Sequence, residues 1–199
     1  MEMADIKSAR EIALEKVKDL GEATESERLA WKYCPEGEQL AARYLKDDVS
    51  LTAGLGQFPE AARSYVRRGA AEVLIRSIGL PRNEVAKNTN RKAMEGLRLL
   101  KTGKAEMENV FSRMRQLFSH YTDQGEKQRK QAQQALKNEL EARVRQEAEK
   151  QGMGSLQNAR IDIERLPQYQ QEWRKLLNQL DSQYLALLKE YKQTLSGIE

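Results

Sequence analysis

This chain of 199 residues has very few of the side chains from which catalytic and metal sites are usually built. It contains one cysteine, Cys34, and one histidine, His120. A single cysteine excludes an intramolecular disulfide, and the two residues together cannot supply a Cys/His zinc site. A Walker phosphate loop is also absent, because Ala105 follows Gly103-Lys104 where that motif needs a hydroxyl side chain. We therefore expect no catalytic residues, no metal and no cofactor, and a protein that is not an enzyme.

Helix-breaking residues and long apolar runs are scarce as well. Only four prolines and twelve glycines interrupt a chain rich in Ala, Leu, Glu, Lys, Arg and Gln, a composition that predicts an all-α fold. The longest apolar run, Tyr184 to Leu188, is far shorter than the ~20 residues of a membrane-spanning helix. The opening residues carry charges where a secretory signal needs an unbroken apolar stretch. We expect a cytoplasmic protein without membrane insertion.

The C-terminal half of the chain has the pattern of two long amphipathic helices. They run from about Lys104 to Lys150 and from about Pro167 to Leu195, with a glycine-rich break at 152–155 between them. At a rise of ~1.5 Å per residue they would extend roughly 70 Å and 43 Å, which is too long for one compact domain. We predict a small helical body over residues 1–103 and a long antiparallel helical hairpin over residues 104–199. A turn or irregular segment is expected near residues 151–166.

Both hairpin helices repeat apolar residues at steps of three and four, the spacing of a coiled-coil seam. The candidate residues for helix–helix or oligomer contacts are Phe111, Met114, Phe118, Tyr121, Tyr169, Trp173, Leu180, Tyr184, Leu187 and Tyr191. They predict self-association or the binding of another helical protein. The alternative is that the two helices bury these residues against each other and against the body. Residues 161–164 alternate apolar and polar and are predicted to lie extended along the hairpin.

Capping and turn signals divide the body into short helices. A capping box at 8–11 and Gly21 mark the ends of the first helix. A second helix is predicted over 24–33, ending before Pro35, and a third over 36–46. Residues 48–59 are predicted to be a loop or a fragmentary helix. Two further helices are expected from Pro59 to about Ile78 and, capped by Asn83, to about Leu100.

The positive charge is concentrated in the middle of the chain. Residues 58–104 carry 11 basic and 4 acidic groups, whereas residues 1–57 carry 8 and 12. Such clusters suit phosphates, because each contact releases condensed counterions. The candidate residues for an anionic partner are Arg63, Arg67 and Arg68, together with a predicted stripe of Lys87, Arg91, Arg98 and Lys101 on one helical face. The alternative is a solvated face whose cations pair with Glu72, Glu84 and Glu95.

The same segment has the spacing of a weak helix-turn-helix pattern. Gly79 would be the turn glycine, and Leu74, Leu80 and Val85 would occupy core positions. Asn88 departs from the pattern, because an apolar residue is expected there. Nucleic-acid binding by residues 58–104 is therefore the alternative function. The leading interpretation is a non-enzymatic scaffold or adaptor that acts through protein–protein contacts of its hairpin.

The opening sequence adds a resemblance of its own. The stretch Ala4-Asp5-Ile6-Lys7-Ser8-Ala9-Arg10-Glu11-Ile12-Ala13 resembles the start of a family of uncharacterised bacterial all-helical proteins. The resemblance implies a bacterial protein of unknown function. It implies no activity, ligand or site residue.

Overall fold

The structure of the protein, a computed structural model, describes residues 23–47, 49–150 and 162–198. Within these residues the chain forms α-helices joined by short connections, with no β-strand, so the predicted all-α fold is confirmed. The helices are α1 (Glu25–Asp47), α2 (Leu51–Gly56), α3 (Glu60–Ser77), α4 (Glu84–Leu100), α5 (Lys104–Lys150) and α6 (Pro167–Gly197), and a 3₁₀ turn at Ile163–Arg165 precedes α6. The helix predicted between residues 8 and 21 lies outside the described residues.

Helix α1 continues through Pro35, where the sequence predicted a break. A proline inside a helix costs about 3 kcal/mol, because it removes a hydrogen bond and crowds the preceding turn. On both sides of this proline, α1 packs closely against α3. A Cβ atom on Gly37 would lie only 2.0 Å from the Val66 carbonyl oxygen, and one on Gly69 only 2.1 Å from the Cys34 carbonyl oxygen. The two helices therefore cross with their backbones in contact, and the predicted pair of short helices is one helix.

The segment after α1, predicted as a loop or fragmentary helix, forms the short helix α2. The Ser50 hydroxyl oxygen caps it by accepting a hydrogen bond from the Ala53 N–H at 3.3 Å. Leu51 and Leu55 are buried in the core of the body. Burial of these two leucines explains why a helix of six residues is retained.

A buried asparagine holds the connection between α3 and α4. Asn90 is 4% exposed, accepts a hydrogen bond from the Gly79 N–H at 2.9 Å and donates one to the Gly79 carbonyl at 2.7 Å. Asn83 caps α4 as predicted, accepting from the Ala86 N–H at 2.8 Å. Val85, however, is 74% exposed. The predicted core position of Val85 is therefore wrong, whereas Leu74 and Leu80 are buried as predicted.

Helices α5 and α6 pair antiparallel, as predicted. Near the body, Tyr121 of α5 lies beside Tyr184 of α6, with ring centroids 5.1 Å apart. This near half of the hairpin shares one continuous hydrophobic core with the body helices, which includes Leu74, Leu97 and Phe111. The division into a body over 1–103 and a hairpin over 104–199 stays a prediction.

A second hydrophobic cluster lies farther along the hairpin, and we call it the distal cluster. It consists of buried Leu136, Leu140, Ile163 and Tyr169, with Val144, Leu166 and Trp173 packed against it. Ile163 belongs to the segment that was predicted to be extended, but it begins the 3₁₀ turn and is 1% exposed. The turn places this side chain inside the cluster, where an extended strand would have no partner strand.

Candidate functional site

The predicted basic residues line two grooves rather than one helical stripe. The first, which we call the α4–α5 groove, has a volume of about 310 Å³ and is lined by Lys87, Arg91, Arg98 and also Arg115. The second, the C-terminal groove, has a volume of about 940 Å³ and is lined by Arg67, Arg68 and Lys101. Arg63 lines neither of these grooves.

Helical spacing explains how the α4–α5 groove forms. Lys87, Arg91, Met94 and Arg98 follow one another on α4 at steps of four, three and four, so they share a face. Arg115, Phe118, Ser119 and Thr122 share a face of α5, at steps of three, one and three. Met94 is 7% exposed and Phe118 is partly buried, so these two side chains form an apolar floor between the charged residues.

Most of the cations around the α4–α5 groove are already paired. Arg98 donates hydrogen bonds to both carboxylate oxygens of Glu108, and Arg115 lies 3.6 Å from Glu108 Oε2. The Arg98 hydrogen bond lowers the pKa of Glu108 below its usual 4.5. Lys87 pairs with Glu84 at 2.7 Å.

Arg91 differs from the other cations of this groove. Its guanidinium donates only to the Asn88 side-chain oxygen, at 3.4 Å, and contacts no carboxylate among the described residues. Arg91 is therefore the cation of the α4–α5 groove that is most available to an anionic partner.

Lys101 does not belong to the predicted stripe with Lys87, Arg91 and Arg98. Helix α4 ends at Leu100, and the Lys101 ammonium donates a hydrogen bond to the Ile198 carbonyl oxygen just after α6. Burial lowers the pKa of Lys101. Its role is to join the end of the hairpin to its beginning.

The three predicted arginines of α3 also differ in their hydrogen-bond partners. Arg63 donates to the Phe58 carbonyl oxygen at 3.0 Å, and Arg68 donates to Cys34 Sγ at 3.2 Å. Arg67 is exposed and contacts no carboxylate among the described residues. Of the seven predicted basic residues, Arg67 thus has no polar partner, and Arg91 has only the amide oxygen of Asn88, in the part of the chain that the structure describes.

A buried carboxylate that the sequence analysis missed lies on α6. Asp181 is 3% exposed, forms an ion pair with Arg82 at 2.7 Å and accepts a hydrogen bond from the Tyr121 hydroxyl at 3.3 Å. Arg129 lies 3.6 Å from its other oxygen and 4.0 Å from the centre of the Tyr121 ring. Burial, and next the charge of Asp181, raises the pKa of Tyr121. The signal was an acidic residue placed in the apolar register between Leu177 and Tyr184.

The seam residues fall into three groups. Phe111, Met114, Tyr121, Tyr169 and Tyr184 are buried within the chain. Phe118, Trp173, Leu180 and Tyr191 are partly buried, and Leu187 is 41% exposed. The buried group packs the hairpin itself, so only the other two groups are available to a second chain.

Comparison with known families gives one match. The model of a family of unknown function, DUF6657, matches residues 52–197 of this chain. The chain belongs to the DUF6657 family. Membership confirms the expectation of an uncharacterised family, although the match does not include residues 4–13, which carried the resemblance. No curated protein and no solved structure shows significant similarity to the chain.

The DUF6657 match includes α3 to α6, the whole lining of the α4–α5 groove and all of the C-terminal groove except Ile198. Within residues 23–47, 49–150 and 162–198, no group of three or more His, Cys, Asp or Glu side chains is placed to hold a metal ion. No helix in the described part of the chain combines the length and the apolar composition that a membrane crossing requires.

Proposed function

We propose that this DUF6657 protein is a non-enzymatic scaffold or adaptor whose α5–α6 hairpin contacts another helical protein or a second copy of the chain. The observation that carries this proposal is the distal cluster. Its buried residues come from α5, the 3₁₀ turn and α6 alone, so it stabilises the hairpin without adding to the core of the body. A helix of 47 residues extends roughly 70 Å. A stiffened projection of this length suits contact with a partner.

The hairpin surface supports the same proposal. Leu185 and Leu187 on α6 are 46% and 41% exposed, although large apolar side chains are usually buried when they lie on a packed helix. On the other hairpin helix, α5, exposed charges pair with each other, as in Lys130–Glu126 and Arg143–Glu139. Exposed apolar and charged side chains on the same hairpin suit helix–helix recognition, in which the charges select the partner.

Site-specific photo-crosslinking in cells of the source organism tests this proposal. A photo-reactive amino acid replaces Gln171 or Leu187 on the hairpin, and Ala42 or Ala61 on the body as controls. We expect discrete crosslinked products from the hairpin positions alone. A product of twice the 22.9 kDa chain mass would identify self-association, which sedimentation equilibrium of the purified protein then checks. Crosslinks from the body positions without any from the hairpin would contradict the proposal.

Nucleic-acid binding by residues 58–104 is the second candidate, favoured by the guanidinium groups of Arg67 and Arg91, which contact no carboxylate among the described residues. Fluorescence anisotropy of random-sequence DNA and RNA at low and moderate salt tests it. Replacing both arginines with glutamine should weaken binding and reduce the slope of log K against log salt by roughly two. The matched control is the double glutamine variant of the exposed residues Arg113 and Arg145. Equal binding by the two double variants would contradict this function.

A further inference from the structure

We propose that the α4–α5 groove binds an acidic peptide segment that carries one large apolar side chain. The inference rests on the proposed function in one respect, namely that the protein acts by contact with another protein. It adds a second contact at the base of the hairpin and specifies the chemistry of the segment that binds there.

The charge of the groove selects an anionic partner. Its lining includes four basic side chains, Lys87, Arg91, Arg98 and Arg115, and one acidic side chain, Glu95, which leaves three net positive charges. Glu108 and Glu84 lie outside the lining but pair with Arg98 and Lys87, so one net positive charge remains when these two carboxylates are counted. Arg91 donates only to the Asn88 oxygen, at 3.4 Å, so its guanidinium can exchange that contact for a bidentate one with a carboxylate, the geometry that a guanidinium favours.

The floor and size of the groove select the apolar part of the partner. Met94 and Phe118 present a flexible thioether and an aromatic ring between the basic residues, and both adapt well to an apolar side chain. A volume of about 310 Å³ is at the lower end of the range for ligand sites and has room for one large side chain. The α4 wall from Lys87 to Arg98 is roughly 16 Å long, which matches two to three turns of a bound helix.

The same features disfavour a nucleic acid at this position. Phosphate tracking needs several cations that are free along an extended path. Here Arg98 and Lys87 are paired with Glu108 and Glu84, and the cations surround an apolar depression. To bind here, an acidic peptide needs one carboxylate to reach Arg91 and a second to replace Glu108 or Glu84 as the partner of a paired cation.

Selection from a random peptide library displayed on phage tests the proposal. Peptides are selected for binding to the full chain, and those that also bind its Ser119→Trp variant are removed. Ser119 is exposed on the groove wall, so a tryptophan there fills the groove without entering the core. We expect enriched peptides to combine two or more acidic residues with an aromatic or long aliphatic residue.

Anisotropy of a fluorescein-labelled selected peptide then locates the contact. Arg91→Glu should weaken its binding at least about tenfold. The control, Arg113→Glu, makes the same charge change on an exposed part of α5 and should change the affinity less than about twofold. Because Arg91 is exposed, Arg91→Glu also provides the test if Ser119→Trp does not fold, which circular dichroism reveals.

Three outcomes would overturn the proposal. The selection could return no peptides that discriminate against Ser119→Trp, or only basic and neutral ones. The two charge reversals could weaken binding equally, which would place the peptide elsewhere. An oligonucleotide of about 12 nucleotides could compete with the peptide and lose affinity in Arg91→Glu alone, which would assign the groove to nucleic acid. Each outcome is independent of hairpin crosslinks from Gln171 and Leu187, so the groove can fail while the hairpin contact stands.

Discussion

Asp181 and Arg82 are 99 positions apart in the sequence, and their side chains form an ion pair at 2.7 Å. Arg82 precedes α4, Asp181 lies in α6, and Tyr121 and Arg129 approach the same carboxylate from α5. One side chain of the returning helix therefore holds together the α3–α4 connection and both helices of the hairpin.

Removing the charge of Asp181 should destabilise this junction. In Asp181→Asn the two arginines lose their shared counter-ion while the shape of the side chain is kept. We expect a loss of about 2 kcal/mol in the free energy of unfolding, less than the roughly 3–5 kcal/mol of a fully buried pair, because the Arg82 side chain is 59% exposed. Urea denaturation measures it. Asp162→Asn, which removes an exposed carboxylate, is the control and should cost under about 0.5 kcal/mol.

The crossing of α1 and α3 should not tolerate a methyl group. Gly37→Ala and Gly69→Ala would each force two backbones apart, with an expected loss of about 3 kcal/mol or more. Gly56→Ala is the control, because a Cβ atom there meets no atom within 4 Å, and it should be neutral or stabilising by up to about 1 kcal/mol. Thermal unfolding of the three variants gives the comparison. Equal melting temperatures would contradict the close approach of the backbones.

The stability of the connection between α3 and α4 should depend on the side-chain amide of Asn90. Asn90→Ala leaves the Gly79 N–H and carbonyl without their side-chain partner, at an expected cost of about 2–3 kcal/mol. Asn88→Ala, on the exposed side of the same helix, should change the free energy of unfolding by less than about 0.5 kcal/mol. If the two variants proved equally stable, Asn90 would not be holding the connection.

Glu108 should account for part of the loss of folding stability at acid pH. Its pKa in the folded protein is lowered by Arg98 below 4.5, so its stabilising contribution is present above pH 4.5 and is lost as the pH falls through the folded-state value. The difference in urea midpoint between the wild type and Glu108→Gln should therefore shrink from about pH 6 to about pH 3. Glu106→Gln, an exposed change one half-turn away, should show no such narrowing. A difference that is constant with pH would be evidence against the pairing.

The distal cluster should unfold separately from the core of the body. Leu140→Ala deletes a side chain that is 2% exposed, and we expect faster hydrogen exchange of amides in residues 130–145 while those of α3 keep their protection. Leu74→Ala, in the large core, should instead reduce protection in α3 and α4. Mass spectrometry of peptides resolves the two patterns. Loss of protection throughout the chain in Leu140→Ala would mean that the two clusters unfold together.

The ends of most helices could be predicted because their signals are local. Asn83 caps α4 with its own side chain, Gly103 precedes α5 and Pro167 begins α6. The break predicted at Pro35 failed for the opposite reason. Around Pro35 the backbone of α1 lies against that of α3, next to Gly69, and the helical pattern within α1 does not reveal this contact with another helix.

The arrangement of the basic residues was unpredictable in the same way. Spacing placed Lys101 in line with Arg91, but its partner is the carbonyl of Ile198, 97 positions later. Spacing also gave no sign that Arg115 of α5 would join Arg91 of α4 across a groove. For Asp181 the sequence did contain a signal, although the prediction missed it. A carboxylate among apolar positions of a helix needs a cation as its partner, but the pattern does not show which cation.

Because the hairpin has two separate hydrophobic clusters, the length of the hairpin arm between them can change without altering either cluster. The base is fixed by Asp181, Lys101 and the large core, while the distal cluster carries its own packing. Insertions or deletions of matching turns in α5 and α6 between Arg129 and Leu136 would move the tip by roughly 10 Å per heptad and leave both clusters intact. Variants of this chain with arms of different length would then reach different distances from the same base.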